Sequence, residues 1–374
     1  MIISALKSND PKDHRSPIHP DTISALTSLK VEINFERGIG EGINSDDSVF
    51  ENLGLKSFSR PECIEKSDLL ITNQPISVEE ISSMKKGSTL IGMVSPFSNQ
   101  ELINACAANN INLVSMEFIP RITRAQKMDV LSSQANIAGY KAVLIGSNHI
   151  GKYMPLLMTA AGTISPARTL VIGAGVAGLQ AIATAKRLGS QVEAFDVRPE
   201  VKEQVESLGA KFIEVESNSD DGVGSGGYAS ETSDEYKAKQ QELMKERVGK
   251  SDIVITTALI PNRPAPMLIP KSMVETMAPG SVIMDLASEN GGNCELTQEN
   301  EIVNHNGVLI DGNSNLPSTM AYHSSQLFSK NIEAIIDHCH SEEGFKLDKE
   351  DEIIDGMLFI ENGEVRHQPT KESM

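Results

Sequence analysis

Leu170-Val171-Ile172-Gly173-Ala174-Gly175-Val176-Ala177-Gly178, with the helical run to Leu188, the apolar segment Gln191 to Phe195 and then Asp196, decides the fold. The apolar triplet predicts a strand, the glycines a turn out of it, and the run beyond them a helix. Gly173 permits the tight turn, Gly175 has no side chain to hold a pyrophosphate off the backbone, and Gly178 lets the helix lie close to the sheet. The free N–H groups and positive dipole end of that helix suit an anion. Asp196 comes 18 residues after Gly178, where a carboxylate takes both ribose hydroxyls, which favours NAD over NADP. A bare glycine triplet also fits an ordinary turn. The strand before it, the helix after it and the acid at this spacing make a dinucleotide unit. Arg198 could pair with a 2′-phosphate, but Asp196 sits nearer the ribose and would repel that phosphate.

Outward from this unit the chain alternates strand-like and helix-like segments. Before it, strands are predicted at 2–6, 31–35, 69–72, 89–94 and 111–116, and helices at 22–29, 78–84 and 99–108. After it, strands are predicted at 212–215, 253–257, 282–286 and 308–310. Short connections between such segments imply parallel sheets covered by helices. A long helix over 131–145, with Ala135, Ala138, Tyr140, Ala142 and Val143 at helical spacing, bridges two domains. A helix over 324–336 returns the chain to the first. The fold class is therefore α/β, with two Rossmann-like parallel-sheet domains and a cleft between them. Residues 1–130 and 322–374 form a discontinuous first domain, and 131–321 the NAD-binding domain.

Two further segments stand out. Residues 216–234 are rich in Gly, Ser and acids and bury too little apolar area to offset ordering entropy. They are either a tolerated surface insertion or a lid over the cofactor anchored by Tyr228. The tail has apolar runs at 353–360 and 364–367 around Asn362-Gly363, a hairpin turn signal.

Composition narrows the function. A chain of 374 residues with 39% hydrophobic content is long enough for two cores. No window reaches the roughly 18 uninterrupted apolar residues of a membrane span, and the N-terminus reads as a strand rather than a signal peptide. A formal charge of −18 argues against nucleic acid as a partner. The four cysteines form no CxxC pair, as expected of a reduced, cytoplasmic setting. His338-Cys339-His340 invites a metal reading, but neighbours on a helix point in different directions and one ion cannot use all three. No metal is expected.

Pro120-Arg121-Ile122-Thr123-Arg124-Ala125-Gln126-Lys127-Met128-Asp129 is unusually polar for a junction between a buried strand and a helix. Arg121 could hold a carboxamide or phosphate, Gln126 could donate and accept at once, and Asp129 could fix either. It also reads simply as a charged helix start, with Asp129 near the positive dipole end. No nucleophile with an attached base is evident. The compatible chemistry is hydride transfer, in which the protein positions two partners and excludes water.

The segments 116–126, 128–134 and 158–188, with Gly226-Gly227-Tyr228-Ala229 and the run from Ile255 to Pro261, resemble the NAD(H)-binding domain I of proton-translocating nicotinamide nucleotide transhydrogenases. The wider superfamily includes alanine dehydrogenase. The resemblance covers most of residues 1–340. It implies that Arg121, Gln126 and Asp129 form the loop that orients the nicotinamide toward NADP on a second subunit, with Ser132 and Tyr140 near that ring. It places Val176 under the pyrophosphate, Asp196 on the ribose and Tyr228 on a mobile lid, and adds Val197, Ala258 and Leu259 to the cofactor contacts. It implies an AB-specific enzyme component that binds NAD(H), dimerises, and works with membrane-embedded subunits carrying the proton channel and the NADP(H) site. It would lie on the cytoplasmic face of the membrane as a separate α1-type subunit.

Departures matter too. Alanine dehydrogenases use a Lys and a His in the first domain, where the similar stretches here read Ile71-Thr72-Asn73-Gln74-Pro75 and Gly92-Met93-Val94. With Ile71 and Met93 in those places a pocket neither neutralises a carboxylate nor delivers a proton. Arg15 and His19 resemble a remnant of that substrate region and receive no role. The competing readings are a stand-alone amino acid dehydrogenase and a non-enzymatic NAD-dependent sensor.

Overall fold

The computed structural model describes residues 1–29, 31–214, 234–260, 263–341 and 344–367. The predicted lid, including Tyr228, lies outside the described residues. The chain divides into two compact units, Met1–Gln134 with Pro317–Met374, and Ala135–Leu316.

The first unit is built on an eight-stranded sheet. Its order is Glu364–Val365, Leu358–Glu361, Asn112–Ser115, Thr89–Gly92, Leu69–Thr72, Ile2–Ala5, Glu32–Glu36, Lys56–Phe58. The last six run parallel, and the C-terminal pair is antiparallel. Ile3, Leu69, Ile71, Ile91 and Val114 enter one core, while Leu70, Leu90 and Leu113 enter another. Successive strand residues thus bury opposite faces, which is why these strands read as continuous apolar runs. The helix Ala321–Cys339 packs Phe328, Ile332, Ile335 and Ile336 into the first of these cores.

The second unit has a seven-stranded sheet. Its order is Lys211–Phe212, Gln191–Phe195, Arg168–Ile172, Ile253–Thr256, Val282–Asp285, Val308–Asp311, Ile302–His305. All pairs are parallel except the last. The strand order reverses between Arg168–Ile172 and Ile253–Thr256. At such a switch point the loops after two neighbouring strands leave in opposite directions and open a crevice.

The bridging helix runs from Val130 to His149, longer at both ends than expected. A Cβ on its Gly139 would run into the carbonyl oxygen of Ala177, so this helix lies directly against the first turn of the helix Val176–Arg187.

Several expectations are corrected. The segment 353–360 is not one strand: Asp351 caps a helix Glu352–Met357 by accepting from the Ile353 N–H at 2.8 Å, and only Leu358–Glu361 is extended. The Asn362-Gly363 turn does form, with φ of 48° and 81°, and joins Leu358–Glu361 to Glu364–Val365. The edge strand Lys56–Phe58 and the hairpin of Leu157–Thr159 with Gly162–Ile164 go beyond the predicted elements. Ile71 lies inside its strand and packs into the core; the polar groups beyond the strand end are Asn73 and Gln74. Of His338, Cys339 and His340, Cys339 is buried in the core, His338 Nε2 sits 3.3 Å from Asp351, and His340 lies beyond the helix in the short strand His340–Ser341.

Candidate cofactor and reaction site

The glycine loop occupies the switch point of the second unit. Gly173 leaves its strand with φ of +102°, a conformation that disfavours any side chain. A Cβ there would also meet Thr257 Oγ1 at 2.5 Å. Thr257, just past the neighbouring strand, donates its hydroxyl to the Gly173 carbonyl at 3.1 Å and so ties the two sides of the crevice. At Gly178 a Cβ would clash with that same carbonyl oxygen, so the helix can approach only as glycine. Gly175 differs. Its backbone is extended and nothing lies within 4 Å of an added Cβ, so its missing side chain leaves open space in front of the loop.

The first turn of the helix Val176–Arg187 has no acidic residue and no side-chain cap, so its N–H groups remain available to an anion. Around this loop several apolar side chains face outward: Val176 is 42% exposed, Val197 68% and Leu259 53%. Such a group at the carboxyl ends of parallel strands suits the flat face of a base.

Asp196 closes the strand Gln191–Phe195. One oxygen accepts the Ala174 N–H at 2.7 Å and an Arg198 guanidinium N–H at 3.0 Å. The other accepts the Arg198 backbone N–H at 2.9 Å and its Nε at 3.0 Å. Burial disfavours the charge, but these donors outweigh it and hold the carboxyl below the usual carboxylate range. Arg198 therefore pairs with the acid rather than projecting alone toward a 2′-phosphate.

One contributor escaped the sequence reading. Asn293 is fully buried, accepts the Ala258 N–H at 3.1 Å, and donates to the carbonyls of Ala258 at 2.9 Å and Pro266 at 2.8 Å. Its own N–H donates to Asp285 at 2.8 Å. Asp285 also accepts from Thr256, Ala287, Cys294 and Thr297. The loop carrying Ala258 and Leu259 is thus fixed from behind by a filled carboxylate. Only Asn-Cys beside a Gly pair, 35 residues from Ala258, hints at it in sequence.

The polar junction belongs to the first unit. Residues Thr123–Met128 form a 3-10 turn whose underside is anchored by buried Ala125 and Met128. Arg121 and Gln126 are exposed. Asp129, by contrast, is half-buried and accepts the Ser132 N–H at 2.8 Å and the Ser132 hydroxyl at 2.6 Å. It is therefore a helix cap, as the plain reading held, and at the same time a fixed carboxylate. Ser132 lies in the first turn of the long helix and Tyr140 further along the same helix, in the second unit.

Arg15 and His19 lie in a buried polar cluster. The Arg15 guanidinium donates to both Asp13 oxygens at 2.9 and 2.7 Å, and to Gln134 at 3.1 Å. Asn73 and Gln74 complete the shell of Asp13 at 3.2 and 2.8 Å. Burial lowers the pKa of His19. Among the described residues no group of three or more His, Cys, Asp or Glu is arranged to hold a metal, and no helix is long and apolar enough to cross a membrane.

Comparison with known proteins agrees with this fold. Residues 6–138 match the family model "Alanine dehydrogenase/PNT, N-terminal domain" and residues 142–368 its C-terminal counterpart. The chain is 44% identical over 370 residues to the first portion of the NAD(P) transhydrogenase alpha subunit of Rickettsia prowazekii, covering 98% of this chain and 96% of that one. It is 42% identical to the same protein of Rhodospirillum rubrum, covering 98% of each. A solved transhydrogenase from Sinorhizobium meliloti superposes with a TM-score of 0.88 at 40% identity, over 98% of this chain and 100% of that one. An L-alanine dehydrogenase shares the fold, with a TM-score of 0.82 at 21% identity and coverage of 100% and 98%. Two matched domain models spanning nearly the whole length, together with these relatives, make the chain a member of the alanine dehydrogenase/PNT family, on its transhydrogenase alpha-subunit side.

Proposed function

We propose that the chain is the NAD(H)-binding component of a proton-translocating NAD(P) transhydrogenase, presenting NADH for direct hydride transfer to NADP⁺ on a partner subunit. The observation that carries this reading is the open space over Gly175 at the switch point, between a free helix N-terminus and the Asp196 carboxylate. That arrangement fits a dinucleotide: the backbone at Gly173, Gly175, Val176 and Gly178 faces its pyrophosphate, and Asp196 its ribose. Val197, Ala258 and Leu259 line the apolar side. The bound nicotinamide supplies the hydride. Arg121, Gln126, Asp129, Ser132 and Tyr140 orient its ring and exclude water, so that the AB-specific transfer occurs at a docking neighbour.

The relatives' names, which designate one portion of an alpha subunit, support partners, here membrane-embedded subunits with the proton channel and the NADP(H) site. With such partners the chain would lie at the cytoplasmic face of the membrane. A homodimer is supported by the hairpin near residue 160, which leaves Leu156 56% and Met158 73% exposed. The engagement of Arg15 by Asp13 and Gln134, with Ile71 in the core, speaks against an amino acid substrate in the first unit.

The test is reconstitution. The purified chain should bind NADH and, with an NADP-binding partner subunit, exchange hydride between NADH and an NADP analogue. Exchange by the chain alone, or oxidation of alanine with NAD⁺ by the chain alone, would refute the proposal.

A further inference from the structure

The polar junction and the long helix that follows it are joined by one side chain from elsewhere in the first unit. Asn331 lies on the helix Ala321–Cys339 and is 6% exposed. Its Nδ2 donates to the Lys127 carbonyl at 2.8 Å, and its Oδ1 accepts the Ser133 hydroxyl at 2.7 Å. Those two contacts bracket the sequence from Met128 to Ser132. Gln126 is the residue before the first contact, and the Asp129–Ser132 pair lies between the two.

Buried Ala125, Met128 and Val130 hold the underside of the stretch by apolar contact, which is non-directional and leaves the orientation of its main chain to hydrogen bonds. A 3-10 turn keeps its own geometry poorly, and its charged side chain Arg124 is tied to Asp351 and Glu352 only at the surface, where such pairs contribute little. The buried amide is different: leaving its partners unpaired away from water is costly. Neighbouring side chains on the same helix act likewise. Ser324 donates to Gln134 at 2.5 Å, while Ser325 and Ser329 accept the N–H groups of Ser16 at 2.8 Å and His19 at 3.1 Å. Polar side chains of this helix thus hold other segments of the first unit, and Asn331 is the one that engages the junction.

We propose that Asn331 is a positioning residue for hydride transfer, acting through the main chain of Lys127 and the first turn of the long helix to fix Gln126, Asp129 and Ser132. This rests on the function proposed above. Asn331→Asp keeps the size and the acceptor for Ser133 but sets a carboxylate against the Lys127 carbonyl; Asn331→Ala removes both contacts. A displacement of the order of 1 Å at reacting groups slows a reaction by up to about a hundredfold. Hydride exchange in the reconstituted complex should therefore fall by about tenfold to a hundredfold, while the Kd for NADH, set in the other unit, stays within about threefold.

The split is what a merely structural residue would not give. Wild-type exchange in both variants, or an NADH affinity that falls as far as the rate, overturns the inference. Gln126→Asn and Asp129→Asn serve as references. If these also exchange normally, the functional reading fails; if they are slow while the Asn331 variants are not, only the role of Asn331 fails. Should Asn331→Ala not fold, Asn331→Asp and Ser133→Ala carry the test, the latter with a smaller slowing, and wild-type rates in those two refute the proposal.

Discussion

Gly175 and Gly178 play separable parts, and alanine distinguishes them. At Gly175 the backbone has φ of −77° and ψ of −166°, open to any residue, and nothing lies within 4 Å of an added Cβ. Alanine loses less chain entropy on folding, by about 0.4–1 kcal/mol, but is a poorer helix cap than glycine by a comparable amount. The net stability change is thus near zero. The methyl group nevertheless fills the space assigned to the pyrophosphate, so Gly175→Ala should bind NADH at least about tenfold more weakly, a loss of about 1.4 kcal/mol. At Gly178 the Cβ runs into the Gly173 carbonyl, which is backbone and cannot rotate away. The helix must retreat, at about 1–3 kcal/mol of strain, or a drop in melting temperature of about 2–12 °C for a domain of this size. Differential scanning calorimetry and NADH fluorescence titration read both quantities. Undiminished NADH binding by Gly175→Ala would refute the placement of the pyrophosphate, however stable the variant.

Further outcomes concern the residues behind the site and the ionisable groups. Asn293→Ala should lower stability by about 2–4 kcal/mol, because three main-chain groups lose their partner at once; urea unfolding with an unchanged midpoint would contradict this. Asp196→Asn should weaken NADH and admit NADPH, since it removes the charge that repels a 2′-phosphate and releases Arg198; equal discrimination in the variant would count against the assignment. Because the folded Asp196 pKa lies below the ordinary 3.8, its contribution to stability is present above about pH 4 and lost as the pH falls through the lowered value. Wild type and Asp196→Asn should therefore converge in stability in acid, and a gap that widens there would reverse the sign. Burial pushes the thiols of Cys63, Cys106 and Cys339 up to about 12 and that of Cys294 to about 11. A disulfide reagent at pH 8 should label none of the four until the protein is unfolded, and rapid labelling of the native chain would disprove that burial.

Much of the fold is legible in the sequence because its signals are local. The strand, glycine turn, helix and acid from Leu170 to Asp196 each follow from neighbours along the chain, and the central strands are apolar throughout because both faces of each sheet are covered. The edge strand Lys56–Phe58 is not legible, being short, polar and held by one neighbour. The Glu352–Met357 helix reads as strand since a short apolar run fits either period, and the Asp351 cap settles it. The candidate site divides in the same way. The glycine loop can be read directly, whereas Asn293, Asn331 and the Asp13–Arg15 cluster depend on partners far apart in sequence. Asp129 illustrates a limit of another kind: one carboxylate serves as helix cap and as candidate site residue, and spacing alone cannot separate the two.

The saturated carboxylate of Asp196 bears on how tightly a dinucleotide can be held. With all four lone-pair positions already taken by Ala174 and Arg198, an incoming ribose must evict a guanidinium before its hydroxyls find an acceptor. Bonds gained by the sugar are offset by bonds surrendered within the protein, and the displaced arginine stands ready to reclaim the acid when the ligand departs. Under the proposed function, such an exchange would preserve selectivity for an unphosphorylated ribose while keeping residence short, as trading oxidised for reduced cofactor on every cycle requires.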